Sequence, residues 1–536
     1  MNKYISKYYF EILIFLFSIS SILALGYQPH APRHLLGKSI FLGLIFYFSY
    51  KINKRLFYVL SFITFIMSLL YLPQAIMIGP MSTGILLSLF ESNITESIEY
   101  LLSIPYEIYF YCIFYTILFI LLALASKQAS KQASKQASKQ ASKQASKQKY
   151  TKLKYKNHII LILLIAFSFH KDTGKYFRED NFNLENNEIF PIQFIIDIFQ
   201  LTSFYKKEIH QLETVLSIPS TWEITSSNPQ YKNFILIIGE SMRKDYMSLY
   251  SYPIENTPFL SKVPGIIFNN YVSAAPNTQP SLKYTLYRKQ DRGNFIYTDN
   301  IISLANKANF KTYWLSNQGI FGRNDTIASR IGQQADYSFF SKKSFTDKNY
   351  FDTVLLEPLK NALAEKSEQA KLIVLHLIGS HPEFCKRLEK QPTKKRFSKE
   401  IDCYIETIKQ TDQFIATVNE ILKQNNQSYS VLYFSDHGLS HYKNKKTLAV
   451  GNKYKQNYEV PLIKFSSDDV NREYIQTPKS AFNFISGFAQ WLGINEKHLQ
   501  NEQNFFSEEI SLPIKVFNWE KFVDFEDLAD DPARVQ

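Results

Sequence analysis

The sequence predicts a two-part protein: an N-terminal α-helical membrane domain of about five spans, and a C-terminal α/β domain with a mainly parallel sheet flanked by helices. Three observations lead to this fold class. Apolar residues make up 45% of the 536 residues and are concentrated before residue 170. The unbroken apolar run at residues 234–238 is typical of a strand covered on both faces. Further short apolar runs that end in polar residues follow it along the chain.

The membrane domain is predicted from five apolar runs, at residues 8–25, 40–50, 56–72, 107–123 and 158–168. The first run follows Lys3 and Lys7 and has signal-peptide character, but the later runs favour an uncleaved helix. Basic residues cluster at 51–55 and 127–156. Five spans with a cytoplasmic N-terminus put both clusters in the cytoplasm and the chain after about residue 170 outside it. The second and fifth runs are shorter than the roughly 20 residues of a full crossing.

Charge and composition narrow the classes of function. The net charge is +13, but much of the positive charge flanks the apolar runs. Because no nucleic-acid-binding motif accompanies it, we expect no nucleic-acid partner. The three cysteines lack zinc-finger spacing. We expect a transmembrane domain at 1–170, bridging helices at 171–230 and an α/β domain at 231–536.

Residues 125–148 are six perfect copies of Ala-Ser-Lys-Gln. A period of four matches neither a heptad nor a packed solenoid unit, and the segment is too polar to bury. We therefore expect a cytoplasmic linker, either helical or disordered.

The same repeat predicts a variable gene. Repeats of GCAA read in one frame give GCA, AGC, AAG and CAA, which encode Ala, Ser, Lys and Gln in this order. Slippage in such a tetranucleotide tract switches the reading frame, so we predict phase-variable expression. Sequencing the gene from many single colonies checks this, and a constant copy number or codons that depart from GCAA would rule it out.

The α/β domain is organised around residues 233–253, NFILIIGESMRKDYMSLYSYP. Its strand runs into Gly239 and Glu240, and ligands of such sheets bind beyond the carboxyl ends of the strands. Three later apolar strands also end in polar residues. These ends are Ser316-Asn317-Gln318, Gly379-Ser380-His381 and Ser435-Asp436-His437-Gly438.

These strand ends predict a metal site. Glu240, Asp436 and His437 offer oxygen and imidazole ligands that suit zinc. A metal there can polarise a phosphoryl oxygen and activate a nucleophile. The candidate nucleophile is Thr278 in the loop YVSAAPNTQPSL, since a hydroxyl needs a base or a metal to react at neutral pH. A loop threonine is also an ordinary cap or turn residue, and the residues alone leave this alternative open.

Two histidines near the strand ends have open roles. His376 and His381 can each bind phosphate or serve as acid and base. For His376, which lies within its strand, we favour a hydrogen-bonded structural role, and for His381 we favour a functional one.

These segments resemble the phosphoethanolamine transferases of the alkaline phosphatase and sulfatase superfamily, which modify lipopolysaccharide. The resemblance covers nearly the whole chain and rests on IIGESMRKDYMSLYSYP with NTPFL, SAAPNTQPSL, TYWLSNQ, HLIGSH and YFSDHG, in this order after five spans. It implies a sulfatase-like catalytic domain at 231–536 in the periplasm and a multi-pass anchor in the bacterial inner membrane.

The resemblance also implies a reaction and its residues. Thr278 would take phosphoethanolamine from phosphatidylethanolamine, release diacylglycerol, and pass the group to lipid A or a core sugar of lipopolysaccharide. The implied ligands of one catalytic zinc ion are Glu240, Thr278, Asp436 and His437. The substrate contacts expected are His381, Asn317, Asn93 and Glu96. From its residues alone, the polar segment with Asn93 and Glu96 can equally be a solvated amphipathic helix. We expect the enzyme to act as a monomer among membrane lipids.

The chain departs from the family pattern at several points. Leu439 stands where many relatives have Glu after Asp-His-Gly, and His441 is the only nearby candidate for a further histidine. A second metal site is therefore left open. Relatives are often rich in disulfides, whereas here only Cys385 and Cys403 lie in the outer domain, and an oxidising compartment permits a bond between them. Cys112 falls in a predicted span as an apolar side chain.

Other functions are weighed against this one. A sulfatase is disfavoured because no Cys-x-Pro-x-Arg or Ser-x-Pro-x-Arg signature surrounds Thr278. A phosphoglycerol transferase of the same superfamily, with phosphatidylglycerol as donor, is the main alternative. A transporter or a non-catalytic membrane scaffold is the alternative from another class, but the spans contain few charges.

Overall fold

The computed structural model forms two compact units, which are described separately. The first comprises Met1–Leu86 with Tyr100–Phe204, and the second Leu87–Glu99 with Tyr205–Gln536. The structure describes residues 2–28, 31–77, 79–81, 85–86, 89, 101, 104–141, 149–170, 187–215, 218–291, 294–319, 327–342, 351–442, 446–499, 504–509 and 513–535. Asn93 and Glu96 lie outside these residues.

The first unit is helical. Its helices are α1 (Asn2–Ala24), α2 (Pro32–Ile52), α3 (Lys54–Met77), α4 (Tyr106–Ala141), α5 (Lys149–Ser168) and α6 (Phe190–Val215), whose last turns belong to the second unit. Among the described residues, three helical segments are long and apolar enough to cross a membrane: Pro32–Ile52, Lys54–Met77 and Tyr106–Gln132. Shorter apolar helices cover Tyr8–Ala24 and Tyr155–Ser168. All five predicted runs are thus helical, and a count of five spans stays a prediction.

Aromatic and hydroxyl groups pack these helices together. The rings of Phe65 and Phe119 stack with centroids 4.2 Å apart, and the hydroxyls of Ser21 and Tyr115 lie 2.7 Å apart. The first Ala-Ser-Lys-Gln copy takes part, because the hydroxyl of Tyr58 lies 2.7 Å from that of Ser126. The repeat therefore begins as a packed continuation of α4, and the helix extends to Ala141.

The second unit is an α/β domain. Its strands are β1 (Ile224–Ser227), β2 (Asn233–Gly239), β3 (Gly265–Phe268), β4 (Tyr271–Val272), β5 (Tyr287–Asp291), β6 (Asn294–Asn300), β7 (Lys311–Gly319), β8 (Tyr337–Lys342), β9 (Lys371–His376), β10 (Tyr429–Ser435), β11 (Ser440–Tyr442), β12 (Thr447–Ala449), β13 (Leu462–Ser466), β14 (Arg472–Ile475), β15 (Lys479–Ser480), β16 (Ile494–Glu496), β17 (Lys515–Phe517) and β18 (Phe522–Asp524). Its helices are α7 (Thr278–Leu286), α8 (Ile301–Lys307), α9 (Ile327–Gly332), α10 (Leu356–Ala364), α11 (Lys399–Gln424) and α12 (Phe484–Leu492).

The central sheet has eight strands in the order β14-β3-β13-β10-β2-β9-β7-β8. The sequence predicted a mainly parallel sheet, and the sheet is mixed: β13 runs antiparallel to both of its neighbours, while the other five pairs are parallel. The reason lies in the connection from β10 to β13. A parallel neighbour needs a long crossover, usually a helix, whereas the described residues of this segment form only the short β11–β12 ladder and a single turn of 3₁₀ helix.

The strand β2 is covered on both faces, as its apolar run predicts. Phe234, Leu236 and Ile238 pack into one hydrophobic cluster, and Ile235 and Ile237 pack into another on the opposite face. Alternating side chains of one strand therefore contribute to two cores.

Strand register brings the polar ends together. In the parallel pair β2–β10, Gly239 lies opposite Ser435, and in the pair β2–β9, Ile238 lies opposite His376. The residues that follow these strands, including Glu240 and Asp436, therefore leave the sheet at one edge.

A disulfide joins Cys385 to Cys403 in α11, across a sequence separation of 18 residues. Closing a loop of this length restricts the unfolded chain, so we expect replacement of both cysteines by alanine to lower the free energy of unfolding by about 3 kcal/mol. Urea denaturation of the purified full chain measures the loss. Cys112→Ala is the matched control, because Cys112 is a free thiol. Equal denaturation midpoints for the two variants would contradict the prediction.

Candidate metal centre and nucleophile

Glu240 lies in a tight turn directly after β2. The amide of Asp436 donates to the Gly239 carbonyl at 3.1 Å, and the amide of Ser241 donates to Asp436 Oδ1 at 3.0 Å. Ser241 has a φ of +58°, a conformation that is uncommon for residues other than glycine. The Ser241 hydroxyl donates to Glu240 Oε1 at 2.7 Å. The turn thereby fixes the Glu240 carboxylate, which is 2% exposed.

Thr278 is the first residue of α7 and faces this carboxylate. Its Oγ1 lies 3.1 Å from Glu240 Oε2 and 3.3 Å from Glu240 Oε1. It also lies 3.3 Å from Nε2 of His437. The hydroxyl of Ser281, one turn along the helix, donates to the Asp436 carbonyl at 2.6 Å. The start of α7 is therefore tied to the segment that carries Asp436 and His437.

Asp436 Oδ2 and His437 Nε2 both approach the Glu240 carboxylate. Asp436 Oδ1 accepts the amide of His437 at 2.7 Å, whereas its Oδ2 is buried without a hydrogen-bond partner. His437 Nδ1 lies 2.7 Å from the Gly438 carbonyl, so Nδ1 carries a proton and Nε2 is the nitrogen that would bind a metal ion in place of its own proton. A buried carboxylate oxygen without a donor costs free energy, and a cation supplies the missing partner.

The spacing of these atoms fits a tetrahedral metal ion. Oxygen or nitrogen ligands about 2 Å from a zinc ion lie roughly 3.3 Å from one another. Glu240 Oε1 is 3.2 Å from His437 Nε2, and Asp436 Oδ2 is 3.6 Å from the same nitrogen. Ligand atoms of Glu240, Asp436 and His437 all lie within 4.8 Å of one another, and no other such group of His, Cys, Asp or Glu occurs among the described residues.

Electrostatics in this pocket also favour a cation. Burial and the neighbouring Glu240 carboxylate raise the pKa of Asp436 to about 8. Burial opposes protonation of His437, but Asp436 and Glu240 outweigh it and raise the pKa of His437 to about 9. Although burial acts against it, the contact with His437 lowers the pKa of Glu240 below its ordinary value. Two buried carboxylates thus compete for positive charge.

The structure places His381 close to this pocket and turns Asn317 away from it. His381 directly follows Ser380, whose amide donates to the Glu240 carbonyl at 3.0 Å. Asn317 instead donates to Asp352 Oδ1 at 2.9 Å and accepts from the Ser341 hydroxyl at 2.8 Å. Successive residues of a strand face opposite sides, so Gln318 points to the site, with Nε2 3.5 Å from Glu240 Oε2. Because side chains alternate between the two faces of a strand, only one of the adjacent amides Asn317 and Gln318 can face the site.

His441 belongs to a buried network beside the site. Its Nε2 lies 2.7 Å from the Tyr246 hydroxyl and its Nδ1 2.8 Å from Asp531 Oδ1. Asp531 also forms an ion pair with the fully buried Arg243. This network ties the C-terminal segment to the GESMRKD motif. Asp531 was not predicted as part of this region, since nothing in its local sequence distinguishes it from surface aspartates.

The position of His376 within its strand predicts a structural role, and its surroundings agree with that prediction. The ring is buried, and its Nδ1 lies 3.1 Å from the Ser316 hydroxyl. Burial lowers the pKa of His376 to about 4.

The lowered pKa of His376 predicts acid sensitivity. Between about pH 6.5 and 4 the unfolded chain takes up a proton on this histidine and the folded chain does not, so the free energy of unfolding decreases by up to roughly 3 kcal/mol as the pH falls. His376→Gln removes this contribution. We expect a shallower pH dependence of the denaturation midpoint in the variant, and identical slopes in the two proteins would contradict the assignment.

A mixed α/β sheet with a metal-ligand cluster and a hydroxyl at one edge defines a member of the sulfatase class, and a sequence model of the Sulfatase family matches residues 232–494. The chain is 36% identical over 356 residues to the phosphoethanolamine transferase OpgE of Escherichia coli (strain K12), covering 65% of this chain and 67% of OpgE. It belongs to the phosphoethanolamine transferases of the alkaline phosphatase and sulfatase superfamily.

One further relative is similar in sequence, and two solved structures are similar in fold. A putative phosphoethanolamine transferase of Haemophilus influenzae is 36% identical over 256 residues, which cover 45% of this chain and about half, 52%, of that relative. The integral membrane lipooligosaccharide phosphoethanolamine transferase A (EptA) of Neisseria meningitidis has the same fold, with a TM-score of 0.59 at 18% identity over 92% of this chain and 96% of EptA. The periplasmic domain of EptC from Escherichia coli, solved in complex with Zn, matches with a TM-score of 0.50 at 22% identity, over 58% of this chain and 97% of that domain.

Proposed function

We propose that this protein is a metal-dependent inner-membrane enzyme that transfers phosphoethanolamine from phosphatidylethanolamine to lipopolysaccharide through a covalent intermediate on Thr278. One observation carries the proposal: the Thr278 hydroxyl lies 3.1 to 3.3 Å from both Glu240 and His437, beside the buried, unpartnered Asp436 Oδ2. A partly buried hydroxyl among potential metal ligands suits a nucleophile better than a helix cap.

The donor set fits one zinc ion held by Glu240, Thr278, Asp436 and His437. When bound, zinc supplies Lewis-acid activation of a hydroxyl and of a phosphoryl oxygen. The Thr278 oxygen then forms a bond to phosphorus, the bond from phosphorus to the diacylglycerol oxygen breaks, and that oxygen takes up the proton that the hydroxyl releases. In the second step an acceptor hydroxyl oxygen forms a bond to phosphorus, the bond from phosphorus to the Thr278 oxygen breaks, and the threonine oxygen takes up the proton that the acceptor releases.

Around the reacting atoms, we propose that His381 contacts the transferred group. On β7 we assign this role to Gln318 in place of Asn317, because Gln318 is the amide that approaches Glu240. We further propose that Asn93 and Glu96 contribute to substrate binding. The names of the relatives support the transferred group, phosphoethanolamine, and the name of EptA, a lipooligosaccharide transferase, supports the acceptor class.

For the membrane part, we propose five spans with the N-terminus in the cytoplasm and the catalytic domain in the periplasm. The apolar helices and the basic clusters support this topology. We propose that the enzyme acts as a monomer.

Incubation of the purified full chain with labelled phospholipid tests the donor. We expect diacylglycerol release from phosphatidylethanolamine and a phosphoethanolamine adduct on the peptide that contains Thr278. Release from phosphatidylglycerol alone would indicate a phosphoglycerol transferase, and release from neither would favour a non-catalytic scaffold or transporter.

Mass spectrometry of lipopolysaccharide tests the acceptor. Cells that express the protein should carry a phosphoethanolamine increment on lipid A or a core sugar, and cells that express Thr278→Ala should not. Appearance of the increment only on another periplasmic glycan would overturn the lipopolysaccharide assignment and leave the transferase chemistry intact.

A further inference from the structure

The segment that carries His381 is pressed against Glu240. The Ser380 amide donates to the Glu240 carbonyl at 3.0 Å. At Gly379, whose φ is +47°, an added Cβ would lie 3.1 Å from the backbone nitrogen and oxygen of Glu240. A side chain there would push the segment outward, so glycine permits the close approach. The position of His381 is therefore coupled to the metal-binding turn.

A buried arginine contacts the ring of His381. Nη2 of Arg387, which is 5% exposed, lies 3.1 Å from His381 Nδ1 and donates to the Pro382 carbonyl at 3.2 Å. A guanidinium stays protonated and only donates hydrogen bonds. His381 Nδ1 must therefore present its lone pair, and the proton of the neutral ring is on Nε2.

Arg387 is held firmly in this place. Its carbonyl accepts from the Gln410 side chain at 2.7 Å, and Cys385, two residues earlier, is bonded to Cys403 in α11. Burial raises the pKa of Asp352, and the positive charge of Arg387 partly offsets this. Asp352 in turn accepts the amides of Ile378 and Gly379. One cluster thus fixes both the arginine and the segment that leads to His381.

We infer that Arg387 is a positioning residue that holds His381 in the neutral tautomer protonated at Nε2, so that His381 donates a hydrogen bond to a phosphoryl oxygen of the substrate. The inference deepens the proposed function and rests on it for the identity of the substrate. No proton leaves His381 in either step, and the bonds that form and break remain those at Thr278. The alternative is that Arg387 only stabilises the conformation of the segment around His381 and has no effect on its tautomer.

Two substitutions of His381 separate a donor at Nε2 from other roles. Glutamine places its amide nitrogen near the position of Nε2, whereas asparagine reaches only the position of Nδ1. With the full chain and labelled phosphatidylethanolamine, we expect kcat of His381→Gln within about 10-fold of the wild type and kcat of His381→Asn lower by about 100-fold. Equal losses in both variants would overturn the donor role.

A double-mutant cycle tests the contribution of Arg387. Arg387→Met removes the donor, and we expect it to lower kcat by about 10-fold in the wild type but to have little effect in the His381→Gln background, since glutamine has no tautomers. Arg387→Lys, which still donates, should recover part of the loss. Equal costs of Arg387→Met in both backgrounds would assign Arg387 to loop shape alone. Zinc content and thermal unfolding of each variant verify that the site and the fold persist.

The tautomer can also be read without any substrate. In the full chain with ¹⁵N-labelled histidine, the nitrogen signals of His381, assigned by their loss in His381→Gln, should show a protonated Nε2. Arg387→Met should convert them to a mixture of tautomers. Signals that the variant leaves unchanged would overturn the inference, whichever phospholipid is the donor. Absence of diacylglycerol release by the wild type would instead count against the proposed function.

Discussion

Thr278→Ala is expected to abolish diacylglycerol release, with a loss of kcat on the order of 10,000-fold or more, as for other covalent nucleophiles. The reason is that alanine offers no oxygen to form the bond to phosphorus, and water at this position would have to replace a group held 3.1 Å from Glu240. Turnover of labelled phosphatidylethanolamine by the purified full chain measures the loss, and mass spectrometry of the intact protein should detect no adduct.

Thr278→Ser is the matched control. Serine keeps the hydroxyl and loses only a methyl group, so we expect it to retain measurable turnover and to form an adduct. If the alanine variant kept wild-type activity, or if both variants lost activity and bound zinc equally, Thr278 would not be the nucleophile.

Asp436→Asn is expected to remove the metal while preserving the fold. Asparagine retains an oxygen that accepts the amides of Ser241 and His437, as Asp436 Oδ1 does. Its NH₂ group then occupies the position of Oδ2, the buried oxygen without a partner. A donor in place of a ligand repels a cation, so we expect zinc affinity to fall by about 100-fold or more and turnover to fall with it.

The stability of the metal-free protein distinguishes this effect from general damage. The raised pKa of Asp436 shows that burying this carboxyl beside Glu240 costs folding free energy, and the neutral asparagine avoids that cost. Unfolding of metal-free Asp436→Asn should therefore require at least as much denaturant as that of the metal-free wild type. Metal content by elemental analysis and urea denaturation after chelation give the two quantities. Full zinc content in the variant would remove Asp436 from the ligand set.

Asp412→Asn provides the opposite control. Asp412 is a buried carboxylate in α11 whose two oxygens accept the amides of Phe259 and Leu260. An asparagine there leaves one amide without an acceptor, at a cost of about 1–3 kcal/mol. We expect this variant to lose stability and to retain zinc. Both substitutions replace a buried aspartate by asparagine, but we expect Asp436→Asn to lose zinc and keep stability, and Asp412→Asn to keep zinc and lose stability.

Local patterns in the sequence were sufficient to predict the individual parts of the site. The apolar run of β2 predicts a doubly covered strand because burial depends on side-chain periodicity, and the residue types of Glu240, Asp436 and His437 suggest metal ligation because ligand chemistry is intrinsic to each side chain. The helices of the first unit are predictable for the same reason, and all five apolar runs are helical.

Other features depend on partners that are distant along the chain. Thr278 is 38 residues from Glu240 and 159 from His437. Their atoms meet because parallel register sets Gly239 beside Ser435 and because Ser281 of α7 donates to the Asp436 carbonyl. Strand pairing likewise decides that β13 runs antiparallel and that Gln318 rather than Asn317 faces Glu240. Packing of distant segments brings Arg387 into contact with His381. The sequence by itself determined which chemical groups the site contains, and the tertiary structure decided which atoms face one another, because hydrogen bonds and metal ligation depend on distances that no local pattern encodes.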